Sequence, residues 1–278
     1  FSYNTMDIQP YLDPFPLPAK RGILSDINKE TTEKALAEAM KNPATVAGEL
    51  VKRLLDPGAE GNDIQARHLL HTMAVRIADY GRKAKGNQRA EFSIALTKSL
   101  SGNLPDRVKA FVIRQVQLCG GEEVVPAIGA FLTVGGIADD ASQALLAINK
   151  GSADQFRNAL PKVKKDTMLY RNVLHGLAEL TDKASRTHFL EALGHKDGEV
   201  QLLGLWGLTQ LADATTLDAF LKAESQQTGF ARVKAASFCL QFAEKLPKEK
   251  AAVIYHHLKK TRTAPQEKYL QELVAAAL

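Results

Sequence analysis

The stretch that decides the fold reads DGEVQLLGLWGLTQL and covers residues 197–211. Its apolar side chains recur at intervals of three and four residues, which is the spacing of one face of an α-helix. A four-point pattern describes the stretch: an apolar residue, a second residue four positions on, a small residue seven on and a leucine eight on, at Val200, Gly204, Gly207 and Leu208. The small residue leaves room for a neighbouring helix, so the stretch predicts a helix packed closely against other helices.

The same four-point pattern recurs along the chain at a nearly constant interval. Its starting positions are 32, 29, 31 and 33 residues apart and lie near Val108, Asp140, Leu169, Val200 and Val233. An earlier copy and a weaker terminal copy extend the series, at Ala66, Leu70, Met73 and Ala74 and at Pro265, Tyr269 and Leu273. This interval fits one helical hairpin per repeat. Because a single hairpin has too little apolar surface to be stable alone, the hairpins are predicted to stack around one core.

The pattern resembles the second helix of short HEAT-like repeats, a type also found in phycobilisome lyases. The resemblance lies in the spacing of Asp197, Val200, Gln201, Gly204, Gly207 and Leu208, and degenerate copies lie at 166–169 and 231–235. It covers residues 43–278. It implies an all-α protein with the α-α superhelix fold, a right-handed α-solenoid of about seven hairpins that serves as a binding scaffold. No stretch shows the alternating pattern of a β-strand.

The first 24 residues differ from the rest and predict an arm. Prolines at 10, 14, 16 and 18 disfavour a helix, so Gln9–Ala19 is predicted to be extended. The apolar residues of this segment suggest that it packs along the body; they are Tyr11, Leu12, Phe15 and Leu17. A free proline-rich ligand for another domain is the alternative. The sequence thus predicts an extended arm over 1–24 and a solenoid over 25–278.

The composition is that of an ordinary soluble protein, with 45% hydrophobic and 24% charged residues. The net charge of +5 permits an anionic partner without implying one. Because no apolar run reaches the ~18 residues of a membrane helix, we expect no membrane insertion. The chain starts at Phe1 without a methionine, which leaves the compartment open: cytoplasmic, or exported with an upstream segment missing.

A stripe of side chains on the second helices is the candidate binding surface. Positions two, six and nine beyond each pattern start lie on one stripe, away from the core. Trp and Arg are the residues most enriched at binding hot spots. We therefore expect a protein or peptide partner to contact this stripe on the concave face, through Arg114, Arg171, His175, Trp206, Gln117, Thr209 and Gln241. The alternative is that Trp206 packs into its neighbouring repeat and the other residues form a solvated face.

A basic run offers a second possible site. Arg82, Lys83, Lys85 and Arg89 could bind an anion such as a phosphate. HEAT-like folds include DNA glycosylases that act on alkylated bases, and these resemble this chain in architecture. Nucleic-acid binding or repair of alkylated bases is therefore the alternative function. The run also fits an ordinary solvated loop.

The sequence carries little that would support catalysis. It contains no GxSxG, no phosphate-binding glycine loop and no HExxH. His68 and His71 lie three apart on one predicted helix but lack a third metal ligand at suitable spacing. Cys119 and Cys239 are predicted to be two buried thiols. We therefore expect a non-catalytic binding scaffold with no cofactor and no metal.

Overall fold

The computed structural model describes residues 5–17, 28–80 and 87–278. Across these ranges the regular secondary structure is helical, and no strand is present. The all-α prediction is therefore confirmed. The chain divides into two compact units, Phe1–Gln155 and Phe156–Leu278. The predicted separation of residues 1–24 from 25–278 stays a prediction.

The first unit pairs its helices into hairpins. Its helices are α1 Gln9–Leu12, α2 Lys29–Ala39, α3 Pro43–Lys52, α4 Ile64–Tyr80, α5 Gln88–Ser99, α6 Asp106–Cys119, α7 Val125–Gly129 and α8 Ala138–Ile148. Three hairpins, α3–α4, α5–α6 and α7–α8, follow one another along the chain. Their second helices pack in series, α4 against α6 and α6 against α8.

The second unit repeats this arrangement. Its helices are α9 Ser152–Val163, which begins in the first unit, α10 Thr167–Glu179, α11 Arg186–Ala192, α12 Gly198–Leu211, α13 Leu217–Ser225, α14 Gly229–Glu244, α15 Lys248–Thr261 and α16 Lys268–Ala277. They form four hairpins, and α12 packs between α10 and α14. Together with the first unit, the described residues contain seven hairpins, as the sequence predicts.

In two hairpins of the second unit, the small residue of the pattern lies directly against a phenylalanine ring. Gly176 of α10 lies against the ring of Phe156 in α9, and Gly207 of α12 lies against the ring of Phe189 in α11. A Cβ atom at either glycine would come within 2.3 Å of the ring. Both phenylalanines are fully buried. The repeat thus places a small residue on one helix opposite a phenylalanine on the other.

The predicted register is wrong in α14 and α16. Val233 is 55% exposed, and Tyr269 and Leu273 are 48% and 50% exposed. In α14 the buried stripe instead runs through Ala235, Ala236, Cys239 and Phe242. The shift brings Phe242 into edge contact with Phe220 of α13, with ring centroids 5.0 Å apart. This aromatic contact across the hairpin sets the buried face of α14.

The arm prediction is wrong at its start and correct about packing. Residues Gln9–Leu12 form the short helix α1, with Pro10 in its first turn. Proline is tolerated there because a first-turn residue has no helical partner for its N–H group. Leu12 and Phe15 are buried against the first unit, whereas Leu17 is 49% exposed. Pro18 and Ala19 lie outside the described residues.

A buried charged cluster joins the last two hairpins. Glu224 of α13 is fully buried and accepts hydrogen bonds from Arg262 and from His257 of α15. Arg262 also pairs with Glu267, which Arg232 of α14 binds through two bonds of 2.9 Å. The Arg232 guanidinium holds the pKa of the Glu267 carboxyl below its usual range. All the described polar contacts of the Arg262 side chain therefore lie within the protein.

Gly207→Ala is expected to destabilise the protein by about 2 kcal/mol, since overpacking outweighs the gain in helix propensity. The added methyl group meets the atoms at the base of the Phe189 ring, which cannot swing aside without moving the helix. Chemical denaturation measures the loss. Gly198→Ala, on the same helix with nothing near its Cβ, is the control and should lose nothing. Equal effects of the two changes would contradict the contact.

Glu224→Gln is expected to lower the free energy of unfolding by about 3 kcal/mol, because it removes the closer of the two carboxylates that balance the buried Arg262 charge and leaves only Glu267. The matched control is Glu191→Gln, which removes an exposed pair with Lys164 (2.8 Å). Exposed pairs of this kind contribute less than about 1 kcal/mol. Thermal unfolding compares the two variants, and similar shifts in midpoint would show that the cluster has no special role.

Candidate functional site

A groove of about 450 Å³ lies on the second helices of the second unit. It is formed by α10, α12 and α14, which pack in series. The side chains that line it are His175, Glu179, Glu199, Leu202, Leu203, Trp206, Lys234 and Phe238. Its centre is on α12, because that helix supplies four of these residues at the spacing of one helical face.

Three contacts align α10 with α12. Near the start of α10, Arg171 binds Asp197, the residue that caps α12. Midway along, the rings of His175 and Trp206 lie 5.3 Å apart between centroids at a tilt of 42°. Near the ends, the Gln210 side chain donates to the carbonyl of Ala178. The two helices therefore run side by side in the same direction.

The Arg171–Asp197 pair fixes the start of α12. The guanidinium makes two hydrogen bonds to the carboxylate, of 3.1 and 2.5 Å. The same carboxylate accepts the backbone N–H of Val200 and so caps the helix. The Arg171 guanidinium holds the pKa of Asp197 below its usual value, and the carboxylate in turn raises the pKa of Arg171. The pair therefore stays charged at neutral pH.

Pairs of this kind recur from repeat to repeat. An arginine binds a carboxylate 25 to 27 residues further along the chain at Arg114–Asp140, Arg157–Asp182, Arg171–Asp197 and Arg186–Asp213. The first of these lies in the first unit and the others lie in the second. In each unit, these pairs join consecutive repeats and leave the arginine charge satisfied.

The groove combines an apolar floor with a charged rim. Leu202 is 6% exposed, and Leu203, Trp206 and Phe238 are half-buried. The exposed rim carries the carboxylates of Glu179 and Glu199, together with Lys234. Among the described residues, none of these three charges has an ion-pair partner. An apolar centre that includes a tryptophan, with a polar rim around it, is typical of protein-binding surfaces.

Glu179 and Glu199 mark the two ends of the groove. Glu199 lies in the first turn of α12, and Glu179 is the last residue of α10. Because α10 and α12 run in the same direction, the two carboxylates lie at opposite ends of the apolar floor. A ligand that spans the floor would therefore meet negative charge at both ends.

Of the predicted stripe, the structure brings His175 and Trp206 together at the groove. Arg171 precedes His175 by one turn, but its charge is bound by Asp197. Gln241 is exposed, and its side chain donates to Ser237. The two remaining members that face solvent in part, Arg114 and Gln117, belong to the first unit. Trp206 is half-buried and lies beside His175, so it is neither a core residue nor a fully exposed one.

The prediction that Thr209 belongs to the binding stripe is wrong. Its side chain is fully buried, and its hydroxyl donates to the carbonyl of Leu205 at 2.9 Å. Because α12 is packed between two other second helices, more of its surface is covered than the pattern of one hairpin suggests. A partner on the surface therefore cannot reach Thr209.

The basic run gives no assembled anion site within the described residues. Arg82, Lys83 and Lys85 lie outside those residues. Arg89 donates to the carboxylate of Glu123 at 2.6 Å and to the carbonyl of Cys119 at 2.8 Å. Glu123 thus neutralises Arg89, and the hydrogen bond between them raises the pKa of the guanidinium.

Most of the residues that form the groove were not predicted from the sequence. Leu202, Leu203 and Phe238 form its floor, and Glu179, Glu199 and Lys234 form its rim. A signal was present in the helix 198–211, which is apolar nearly all the way round. The core pattern accounts for Val200, Gly204 and Leu208 but leaves Leu202 and Leu203 in excess. Such an excess indicates a second buried or binding face.

Other chemistry-bearing groups do not gather into a site in the described part of the chain. Cys119 and Cys239 are both free and buried, as predicted, and burial raises the pKa of the Cys119 thiol to about 11. No group of three or more His, Cys, Asp or Glu side chains there could hold a metal ion. No helix of the described ranges is both long and apolar enough to cross a membrane.

Comparison with known proteins supports the fold. The sequence matches no protein-family model and no curated protein. The structure is similar to Kap121p, a HEAT-repeat protein, in its crystal structure bound to RanGTP, with a TM-score of 0.51 and 11% sequence identity. The alignment covers 97% of this chain and 36% of the Kap121p chain. Together with the helix packing, this likeness shows a HEAT-like α-α superhelix.

Trp206 is expected to report on the groove directly, because it is the only tryptophan in the sequence. A half-buried indole at a groove should be quenched by acrylamide in the folded protein, at a rate between those of a buried and a free tryptophan. Leu203→Ala should increase the quenching, whereas Tyr269→Ala, a change outside the groove, should leave it unaltered. Emission that acrylamide does not quench would show that Trp206 is core.

Proposed function

We propose that this chain is a non-catalytic binding scaffold that holds a protein or peptide partner in the groove formed by α10, α12 and α14. The observation that carries the proposal is the half-buried Trp206, which lies over an apolar floor between charges without an ion-pair partner among the described residues. This groove is our candidate for the concave binding face.

The free energy of binding would come mainly from the floor. Burial of apolar surface contributes about 25 cal/mol for each Å² removed from water. A tryptophan at the centre of an interface commonly costs 2 kcal/mol or more when it is truncated, a magnitude on the order of thirtyfold in affinity. The rim charges would add orientation and selectivity more than affinity.

The structural comparison agrees with a protein partner. Kap121p was solved in complex with RanGTP, which supports the use of such a fold to bind proteins. The spacing of Asp197, Val200, Gly204, Gly207 and Leu208 supports a repeat of the phycobilisome-lyase type. Arg114, Arg171, Gln117 and Gln241 remain candidates for contacts outside the groove. Arg89 gives the nucleic-acid alternative no support, since Glu123 already binds it.

Trp206→Ala is expected to abolish capture of a partner from the source cell without unfolding the chain. The immobilised chain would capture the partner, and mass spectrometry would compare the variant with the native protein. Tyr269→Ala, which removes an exposed aromatic ring elsewhere in the second unit, should leave capture unchanged. Thermal unfolding of both variants establishes that they fold.

Equal capture by the folded Trp206→Ala variant and the native chain would contradict the groove as the binding site. Loss of capture in the folded Trp206→Ala variant and its retention in Tyr269→Ala would support it.

A further inference from the structure

The N-terminal arm already occupies a surface of the first unit. Ile8, Leu12 and Phe15 are 1%, 3% and 5% exposed, at a spacing of four and three residues. The ring of Phe15 contacts the ring of His68 on α4, with centroids 5.2 Å apart. The Gln65 side chain donates to the carbonyl of Phe15 at 2.6 Å. A short amphipathic segment of the chain is therefore bound to the surface of α4.

The arm lies on the repeat positions that form the groove floor in the second unit. The core pattern starts at Ala66 in α4 and at Val200 in α12, which relates the two helices by a shift of 134 residues. Under this shift, Gln65, His68 and Thr72, which contact the arm or line the gap beside it, correspond to Glu199, Leu202 and Trp206. The buried Leu69 corresponds to Leu203, so the shift accounts for all four residues that α12 contributes to the groove.

The unfilled volume beside the arm on α4 is smaller than the volume of the groove on α12, as expected if the arm fills the equivalent position. Beside the arm, a gap of about 90 Å³ remains between Phe15, α2 and α4. At the equivalent positions of α12 the groove measures about 450 Å³. The arm thus fills this repeat position on α4, whereas the equivalent position on α12 is open and has room for a comparable segment.

We infer that the groove binds a short amphipathic segment of a partner protein in the way that α4 binds the arm, and that this segment carries basic residues at its ends. The inference rests on the proposed function and names the chemistry of the partner. The segment would place apolar side chains at i, i+4 and i+7 over the floor. The side chain at i+7 would be an aromatic ring against Leu202, the counterpart of the His68 that Phe15 contacts.

The charges decide against the arm itself as the occupant. Gln65 of α4 is a hydrogen-bond donor to the arm, whereas Glu199 at the equivalent position can only accept. The arm carries two acidic residues, Asp7 and Asp13, and an acidic segment in the groove would lie among the carboxylates of Glu199 and Glu179. Like charges repel, so basic residues at these two positions fit the groove better.

Three synthetic peptides test the inference on the full chain, with Trp206 emission as the readout. The first has the arm sequence TMDIQPYLDPFPL, residues 5–17. The second carries Asp7→Lys and Asp13→Lys. The third adds Phe15→Ala to the second. We expect the second peptide to shift the emission saturably and to bind about tenfold more tightly than either of the others.

A charge reversal in the protein provides the matched test. Glu199→Lys should reverse the preference, so that the arm peptide binds more tightly than its basic version. Glu249→Lys adds the same charge to the first turn of α15, outside the groove, and should keep the native preference. Both acids are exposed, so neither change should unfold the chain.

The outcomes separate this inference from the proposed function. No saturable shift with any peptide, or a preference that Glu199→Lys does not alter, would overturn the inference. Tighter binding of the unmodified arm would also overturn it and would identify the arm of a second copy as the occupant. If the inference fails in any of these ways while Trp206→Ala still abolishes partner capture, the groove remains the binding site for a different kind of segment.

Discussion

The contact between a glycine and a phenylalanine in the hairpins α9–α10 and α11–α12 is the constraint on which the first half of the second unit depends. Gly176 meets Phe156, and Gly207 meets Phe189, with no room for even a methyl group between them. This contact brings the two helices of a hairpin close enough to bury a large ring completely. Because the ring fills the space that the glycine leaves, neither residue can change alone. The hairpin geometry that results sets the spacing at which the next repeat is added.

The arginine–carboxylate pairs turn this spacing into an aligned surface. Arg171 binds the carboxylate that caps α12, so the start of one second helix is tied to the start of the next. A bidentate pair of this kind fixes orientation as well as distance. The alignment places His175 beside Trp206 and sets Glu179 and Glu199 at opposite ends of the floor. The groove is therefore a consequence of how repeats are joined, and no single repeat contains it.

This dependence explains what could be predicted from the sequence. The period, the hairpins and the role of Gly207 are properties of one repeat, and a sequence pattern contains them. The buried state of Thr209 and the exposed state of Val233 depend on neighbouring helices, which the pattern does not describe. The Arg–Asp pairs could not be predicted from the pattern either, because the two residues lie 25 to 27 positions apart and meet only when the repeats stack. His175 and Trp206 were found because their residue types, and not their contacts, suggested binding.

The equivalent apolar faces of α4 and α12 differ in whether another segment of the chain covers them. On α4, the arm covers the face and removes it from water, with Phe15 against His68. On α12, the tilted contact of His175 with Trp206 covers part of the indole, and the charges at the rim keep the remainder hydrated. Burial of the covered face stabilises the folded chain. The open face is not buried in the free chain, so its burial would stabilise a complex instead. The exposed apolar floor costs free energy in the free chain, and a partner of the proposed kind would recover that cost by removing the floor from water.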